Sequence, residues 1–239
     1  MRQTSSLISN RRQAGLALAA QLESWRRRPE SVVVALPRGG VDVGLAMAQS
    51  LELPLDVLVV RKLGLPLFEE FAMGAIASGG HTMLAMEVIA KEDIPESEVQ
   101  RVIQRESVEL NRREQRYRQG HTPLALRHQN VILVDDGMAT GSTMLVAIDA
   151  LRAADVASIA VAVPVLSREA LERVKSLTDQ VAYLHQPEPF YAIGQWYENF
   201  GQLSDEDVIK LLDQAYARPE SSGGVSRKAG ELQGDQHGI

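Results

Sequence analysis

The stretch Val131–Met144, "VILVDDGMATGSTM", decides how this chain is read. A β-branched apolar run, "NVILVD", stops at two adjacent acids, Asp135 and Asp136. A small turn rich in glycine and hydroxyls follows, and Ser142–Ala153 then carries the spacing of a helix. A turn that leaves a strand and opens a helix gathers outward-pointing backbone N–H groups at the positive end of the helix dipole. Gly141 allows close backbone approach, and Thr140, Ser142 and Thr143 can donate from hydroxyls. Residues Ala139, Thr140, Gly141, Ser142 and Thr143 therefore form a candidate loop for a phosphate monoester. The loop is not of the GxxxxGK[ST] type, because the lysine is missing, and it is not GxGxxG.

The two acids repel phosphate, so they make sense if they address another part of the same ligand. A ribose 5-phosphate carries vicinal hydroxyls beside its phosphate, and carboxylates are strong acceptors for hydroxyls. Asp135 and Asp136 are thus candidates to hold the ribose while the loop holds the phosphate. An isolated acid pair more often caps a strand end and a helix. The attached loop moves the reading to a ligand.

Outward from this stretch, strands and helices alternate. "SVVVAL" (Ser31–Leu36), "LDVLVV" (Leu55–Val60), "SIAVAVPV" and "QVAYL" read as further strands, with Val41–Leu51 and "REALERVKSL" as helices between them. "RKLGLPLFEE" (61–70) reads as a loop broken by Gly64 and Pro66, and "FAMGAIAS" and "TMLAM" as a strand pair around Gly79-Gly80. Glu96–Arg118 reads as a long polar helix with Val99, Val102, Ile103, Val108 and Leu110 on its sparse apolar side. Ser204 and Asp207 open a last helix with a capping-box pattern. The alternation predicts an α/β fold with a mainly parallel sheet flanked by helices. Three parts are expected: an N-terminal amphipathic helix within 1–30, a main domain over 31–215, and a disordered tail over 216–239. In such sheets ligands sit at the carboxyl ends of the strands, where Asp135-Asp136 and Pro37–Gly40 both fall.

Bulk properties narrow the function classes. A net charge of −6 gives no global basic field toward nucleic acid or anionic lipid, so neither is expected as a partner. The absence of cysteine excludes disulfides, thiolate zinc sites and cysteine nucleophiles, and suits the cytoplasm. No apolar run approaches the ~20 residues of a membrane span. Arg11 and Arg12 before "AGLALAAQL" faintly suggest an export signal, but Leu7, Leu18, Leu22 and Trp25 lie near one helical face, so residues 7–28 are read as a helix. His81, His121, His128 and His185 show no metal-ligand spacing, and no protein metal ligand is assigned.

"VILVDDGMATGST" resembles the phosphoribosyl-pyrophosphate signature of the type I phosphoribosyltransferases: apolar strand, two acids, two variable residues, then Ala/Asp-Thr-Gly-x-Thr/Ser. "LPRGG" is similar to that family's pyrophosphate loop and "VVRKLGLP" to the base of its mobile catalytic loop. The chain from the N-terminal helix to about residue 212 resembles a bacterial group of predicted phosphoribosyltransferases. The resemblance implies that Asp135 and Asp136 hold the ribose hydroxyls and that Ala139–Thr143 hold the 5-phosphate. It implies Arg38, Gly39 and Gly40 on the diphosphate, with a non-proline cis bond at Pro37–Arg38. It implies Arg61 and Lys62 as the catalytic cations on the leaving group. Glu69 and Glu70 are given no catalytic role. The implied substrates are 5-phosphoribosyl 1-pyrophosphate and a small, nucleobase-like acceptor, with Mg²⁺ as cofactor and a homodimer as a common assembly. Purine-salvage members with an aspartate at the position of Ala139 use it toward the base, so the alanine disfavours a hypoxanthine/guanine specificity of that kind.

Residues 186–200, "QPEPFYAIGQWYENF", hold five of the eleven aromatics. Phe190, Tyr191 and Trp196 are candidates for an acceptor-covering hood, and a hydrophobic plug is the competing reading. Two other functions compete with the transferase. A sensor of phosphoribosyl pyrophosphate would keep the acid pair without needing the leaving-group cations. A phospho-acceptor receiver would place its acids near the chain start, against the position found here.

Overall fold

The computed structural model describes residues 7–217. The expected tail lies outside the described residues from 218 onward. Five strands, β1 (Ser31–Ala35), β2 (Leu55–Val57), β6 (Asn130–Val134), β7 (Ser158–Val165) and β8 (Gln180–His185), form one sheet in the order β2-β1-β6-β7-β8. Every pairing in it is parallel. A second, antiparallel sheet joins β3 (Val60–Gly64), β4 (Ala72–Ala77) and β5 (His81–Leu84) in that order.

The parallel sheet is buried on both faces, so its strands read as continuous apolar runs rather than as alternation. Successive side chains still go to opposite sides. Val33, Ala35, Ile132 and Val134 join the core under α1 (Arg11–Gln21), α2 (Gly39–Leu51) and α7 (Asp205–Tyr216). Val32, Val34, Val131 and Leu133 join the core under α5 (Ser142–Ala153) and α6 (Arg168–Val174). Leu18 and Leu22 are fully buried, each contributing roughly 1.5–3 kcal/mol by removal from water. Helix α7 starts at the capping box read from Ser204 and Asp207.

Three expectations need correcting. The run 55–60 is not one strand, because β2 ends at Val57 in the parallel sheet and β3 starts at Val60 in the antiparallel one. Its apolar character runs on across Leu58 and Val59 because both are also buried. The stretch 61–70 is therefore a strand as far as Gly64, and Arg61 and Lys62 lie on β3. The N-terminal helix is shorter than 7–28: α1 spans Arg11–Gln21, and a separate 3-10 turn covers Glu23–Trp25. The leucine spacing continued because Leu18, Leu22 and Trp25 are all buried, whereas Leu7 is 48% exposed.

Helix α4 (Glu96–Arg118) has the bounds expected. Val99, Val102 and Leu110 are buried, but Val108 is 71% exposed and belongs to the outer face. Most of its charges pair along the helix, as Glu109 does with Arg112 and Arg113. Two turn inward. Glu106 receives Arg61 from β3, and Arg118 reaches the buried Asp56 at the end of β2. Asp56 also accepts from Val57 N at 2.7 Å and Leu124 N at 2.8 Å, so this ion pair is fully hydrogen-bonded into the backbone. A short helix, α3 (Met86–Lys91), was not expected.

Candidate functional site

The strand order reverses between β1 and β6. In an open α/β sheet the crevice at the carboxyl ends of two such strands is where ligands bind. Ala35 and Val134 are register partners across that boundary, so the segments that follow them leave the sheet side by side. These segments are "PRGG" into α2 and "DDGMATG" into α5.

The two loops touch. A Cβ built on Gly39 would overlap the Asp136 carboxylate, and one on Gly40 would come within 2.8 Å of the Val134 carbonyl oxygen and 3.0 Å of Asp135 Cα. Only glycine lets these backbones approach so closely. The Pro37–Arg38 bond is cis, as the resemblance implied.

The loop from Ala139 to Thr143 opens α5 as expected. Gly141 sits at φ 75° as the N-cap, a left-handed conformation that suits glycine. The N-cap glycine offers no side-chain cap, and of the first N–H groups Ser142 N makes only a long bond of 3.4 Å to Thr140 Oγ1. Thr140 Oγ1 lies 3.2 Å from Ser142 Oγ. From outside, Ser167 Oγ donates to the Ala139 carbonyl at 2.6 Å and the Arg173 guanidinium to the Thr140 carbonyl at 2.6 Å. Both ties occupy carbonyls of the loop with donors from α6 and its N-cap. Ala139, Thr140, Ser142 and Thr143 are exposed.

The acid pair is not symmetrical. Asp135 Oδ1 accepts the Asp136 N–H at 2.8 Å. Burial, and then the neighbouring Asp136 charge, push the Asp135 carboxyl well above the usual carboxylate range. Asp136 meets a cation that sequence reading missed: Arg11 Nε donates to its Oδ2 at 2.8 Å. Arg11 also donates to the Gly201 carbonyl at 2.7 Å and lies 4.0 Å above the Phe200 ring. Tyr197 Oη donates to the Asp136 carbonyl at 2.7 Å, and burial raises its phenol far above the usual value. The signal that could have found Arg11 was its position: arginine in a helical first turn opposes the dipole and calls for another reason to be there. Asp42, in the first turn of α2, has its carboxyl raised by burial, with Arg11 and Arg12 pulling the other way.

Arg61 and Lys62 separate. The Arg61 guanidinium faces α4, donating through Nε to Glu106 at 2.7 Å, with Glu109 at 3.8 Å. Lys62 is exposed, and its Nζ donates to the Glu70 carbonyl at 2.9 Å. The expected pair of cations is therefore one structural anchor and one exposed amine.

The aromatic segment divides in the same way. Tyr197 is buried, and with Phe190, Trp196 and Phe200 it packs on Ile8 and Val165. Trp196 also tilts against His185 at 5.3 Å. These contacts form a hydrophobic cluster against the N-terminal arm, β7 and β8, whereas the competing reading set a plug between the last strand and the C-terminal helix. Tyr191 is 76% exposed. Ile193 reaches the site itself: a Cβ on Gly137 would stand 2.9 Å from Ile193 Cγ1. The segment thus covers the residue next to the acid pair with an aliphatic side chain that sequence reading did not name.

Among the described residues no group of three or more His, Asp or Glu comes together to hold a metal ion, and no helix is long and apolar enough to cross a membrane. A cavity of about 810 Å³ lies elsewhere, between Asp56, Arg118, Leu124 and Leu151.

The start of α5 and the acid pair thus meet the Gly39-Gly40 backbone at the switch point of the parallel sheet. The family described as phosphoribosyl transferase domain matches residues 9–188, and the chain belongs to that family. Two Mycobacterium tuberculosis proteins provisionally named phosphoribosyl transferases are 37% identical to it over 223 residues, 93% of this chain. The chain spans about half the length of these curated relatives, 50% in each case. The crystal structure of TT1426 from Thermus thermophilus is similar with a TM-score of 0.75 and 38% identity, covering 87% of this chain and 98% of that one.

Proposed function

We propose that the protein is a phosphoribosyltransferase that binds 5-phosphoribosyl 1-pyrophosphate across the β1–β6 crevice and passes the phosphoribosyl group to a small, nucleobase-like acceptor. One observation carries this reading. The Gly39-Gly40 backbone abuts Asp135 and Asp136, and the uncapped start of α5 follows five residues later. Two anion-accepting backbones thus flank a pair of hydroxyl acceptors, which is the charge pattern of a ribose carrying phosphate at one end and diphosphate at the other.

The 5-phosphate is assigned to the N–H groups and hydroxyls of Thr140–Thr143, the ribose hydroxyls to Asp135 and Asp136, and the diphosphate to Arg38, Gly39 and Gly40. Displacement at ribose C1 breaks the bond to pyrophosphate and forms one to the acceptor through an oxocarbenium-like transition state. The negative charge that builds on the leaving oxygens needs preorganised positive groups. Lys62 is placed in that role because its amine is exposed, while Arg61 fixes β3 to α4. Asp135 and Asp136 are the hard oxygen donors that would lie beside a Mg²⁺ held largely by the substrate, and the ion would supply charge neutralisation on the diphosphate. Ile193, which packs on Gly137 next to the acid pair, is the side chain assigned to exclude water beside the acceptor.

The test is pyrophosphate release from 5-phosphoribosyl 1-pyrophosphate and Mg²⁺, with purine and pyrimidine bases offered singly. Release that requires one base, and is lost in Asp136→Asn, is the expected result. Tight binding without release for any acceptor replaces the transferase with a sensor of the same ligand. No binding at all overturns the ligand.

A further inference from the structure

Two carboxylates stand beside a site read as taking a polyanion, and the repulsion must be relieved for that ligand to bind. Arg11 is the cation placed to relieve it. It is 7% exposed, and its three engagements fix it completely: Asp136 Oδ2 at 2.8 Å, the Gly201 carbonyl at 2.7 Å and the Phe200 ring at 4.0 Å. Helix α1 gains nothing from a basic first turn, and its N-cap is already supplied by Asn10, which accepts from Gln13 N at 2.9 Å. The arginine is held instead by segments far away in sequence. Ile8 N donates to the Trp196 carbonyl at 2.9 Å and Glu198 N to the Ile8 carbonyl at 2.8 Å, so the N-terminal arm lies against the aromatic segment. Behind the acid pair, Tyr197 Oη grips the Asp136 carbonyl.

We infer that Arg11 is a positioning residue for the ligand: it aims the Asp136 carboxylate and cancels its charge so that the ribose acid can coexist with the flanking anions. This rests on the reading of the site given above. Arginine is suited to the task because one planar guanidinium can serve a carboxylate, a carbonyl and an aromatic face together, which an ammonium cannot do.

The experiment is a double-mutant cycle between Arg11→Gln and Asp136→Asn. It is read twice, on affinity for 5-phosphoribosyl 1-pyrophosphate with Mg²⁺ by calorimetry and on melting temperature without ligand. Arg11→Gln is expected to weaken affinity about tenfold or more. Arg11→Lys should recover part of that loss. In the Asp136→Asn background, Arg11→Gln should cost little further affinity, because the charge it compensates is gone. Additive losses of affinity, or no coupling in melting temperature, overturn the inference. If Arg11→Gln does not fold, Arg11→Lys carries the same cycle with the same criteria. Absence of binding by the unmutated protein is a separate result: it defeats the ligand reading, and with it the ligand role of Arg11, while the melting cycle still decides whether the pair is coupled.

Discussion

A methyl group at residue 39 would occupy the same space as the carboxylate of Asp136, and would stand 3.0 Å from Nε of Arg11. The Pro37–Gly40 loop and Asp136 are therefore in van der Waals contact through the missing side chain of one glycine. Gly39→Ala should push Asp136 out of place without unfolding the sheet beneath it. The expected result is a loss of about tenfold or more in affinity for 5-phosphoribosyl 1-pyrophosphate, measured by calorimetry, with an unchanged far-ultraviolet circular dichroism spectrum. Wild-type affinity in this variant would show that the contact does not matter to the ligand.

Asp135 leads to a prediction about pH. Its carboxyl is raised by burial and by Asp136, so the folded chain holds that proton more tightly than the unfolded chain. Stability from this group is present below the ordinary aspartate value, about 4, and is lost as pH rises through the raised folded value. Asp135→Asn should therefore melt higher than the parent near neutral pH, and the gap should close as the pH falls below about 4. A melting series across pH checks this, and a gap that widens on acidification would contradict it.

Lys62 and Arg61 are expected to part company in function. Lys62→Ala should lower kcat with little change in melting temperature, since its amine meets only the Glu70 carbonyl at an exposed position. Arg61→Ala leaves Glu106, a carboxylate that is 7% exposed, with Arg105 Nε at 3.0 Å as its remaining cation, and should lower stability by about 1.5–3 kcal/mol in urea unfolding. Equal effects of the two variants on stability would undo this division of labour.

Asp56 and Arg118 lie outside the site and test the scaffold. Asp56→Ala leaves the N–H groups of Val57 and Leu124 without their acceptor and the buried Arg118 guanidinium with Glu114 and the Val57 carbonyl alone. The expected cost is about 3–5 kcal/mol in urea unfolding. A loss under about 1 kcal/mol would mean that water or a neighbour replaces the carboxylate readily.

How much of this was legible depends on how far apart the partners lie in the chain. The anion loop and the acid pair sit within ten residues, and Pro37–Gly40 ends the neighbouring strand, so strand ends and turn chemistry were enough to find them. The helix 96–118 was legible because both its ends carry signals, acids in the first turn and arginines in the last. The split between β2 and β3 was not, because burial is continuous across it and only the pairing partner changes. The partners of Arg11 and Ile193 were out of reach for a different reason, even though the place of Arg11 in a first helical turn was odd in itself. Each residue meets the site across a long stretch of chain, 125 residues between Arg11 and Asp136, and no local period encodes such a meeting. Arg61 was assigned by resemblance, and the carboxylate that engages it belongs to α4, whose charges looked like an ordinary solvated face.

The pairing of Ile8 with Tyr197 has a consequence for how the protein is made. A nascent chain that has emerged as far as β8 already carries both loops and the whole parallel sheet. It has neither the hydroxyl of Tyr197 nor the carbonyl of Gly201, so Arg11 and Asp136 are still unsecured. The sheet can form on the ribosome, whereas the crevice waits for the first and last parts of the domain to find each other. The contacts that secure Arg11 and Asp136 thus depend on a segment made after the last strand of the sheet.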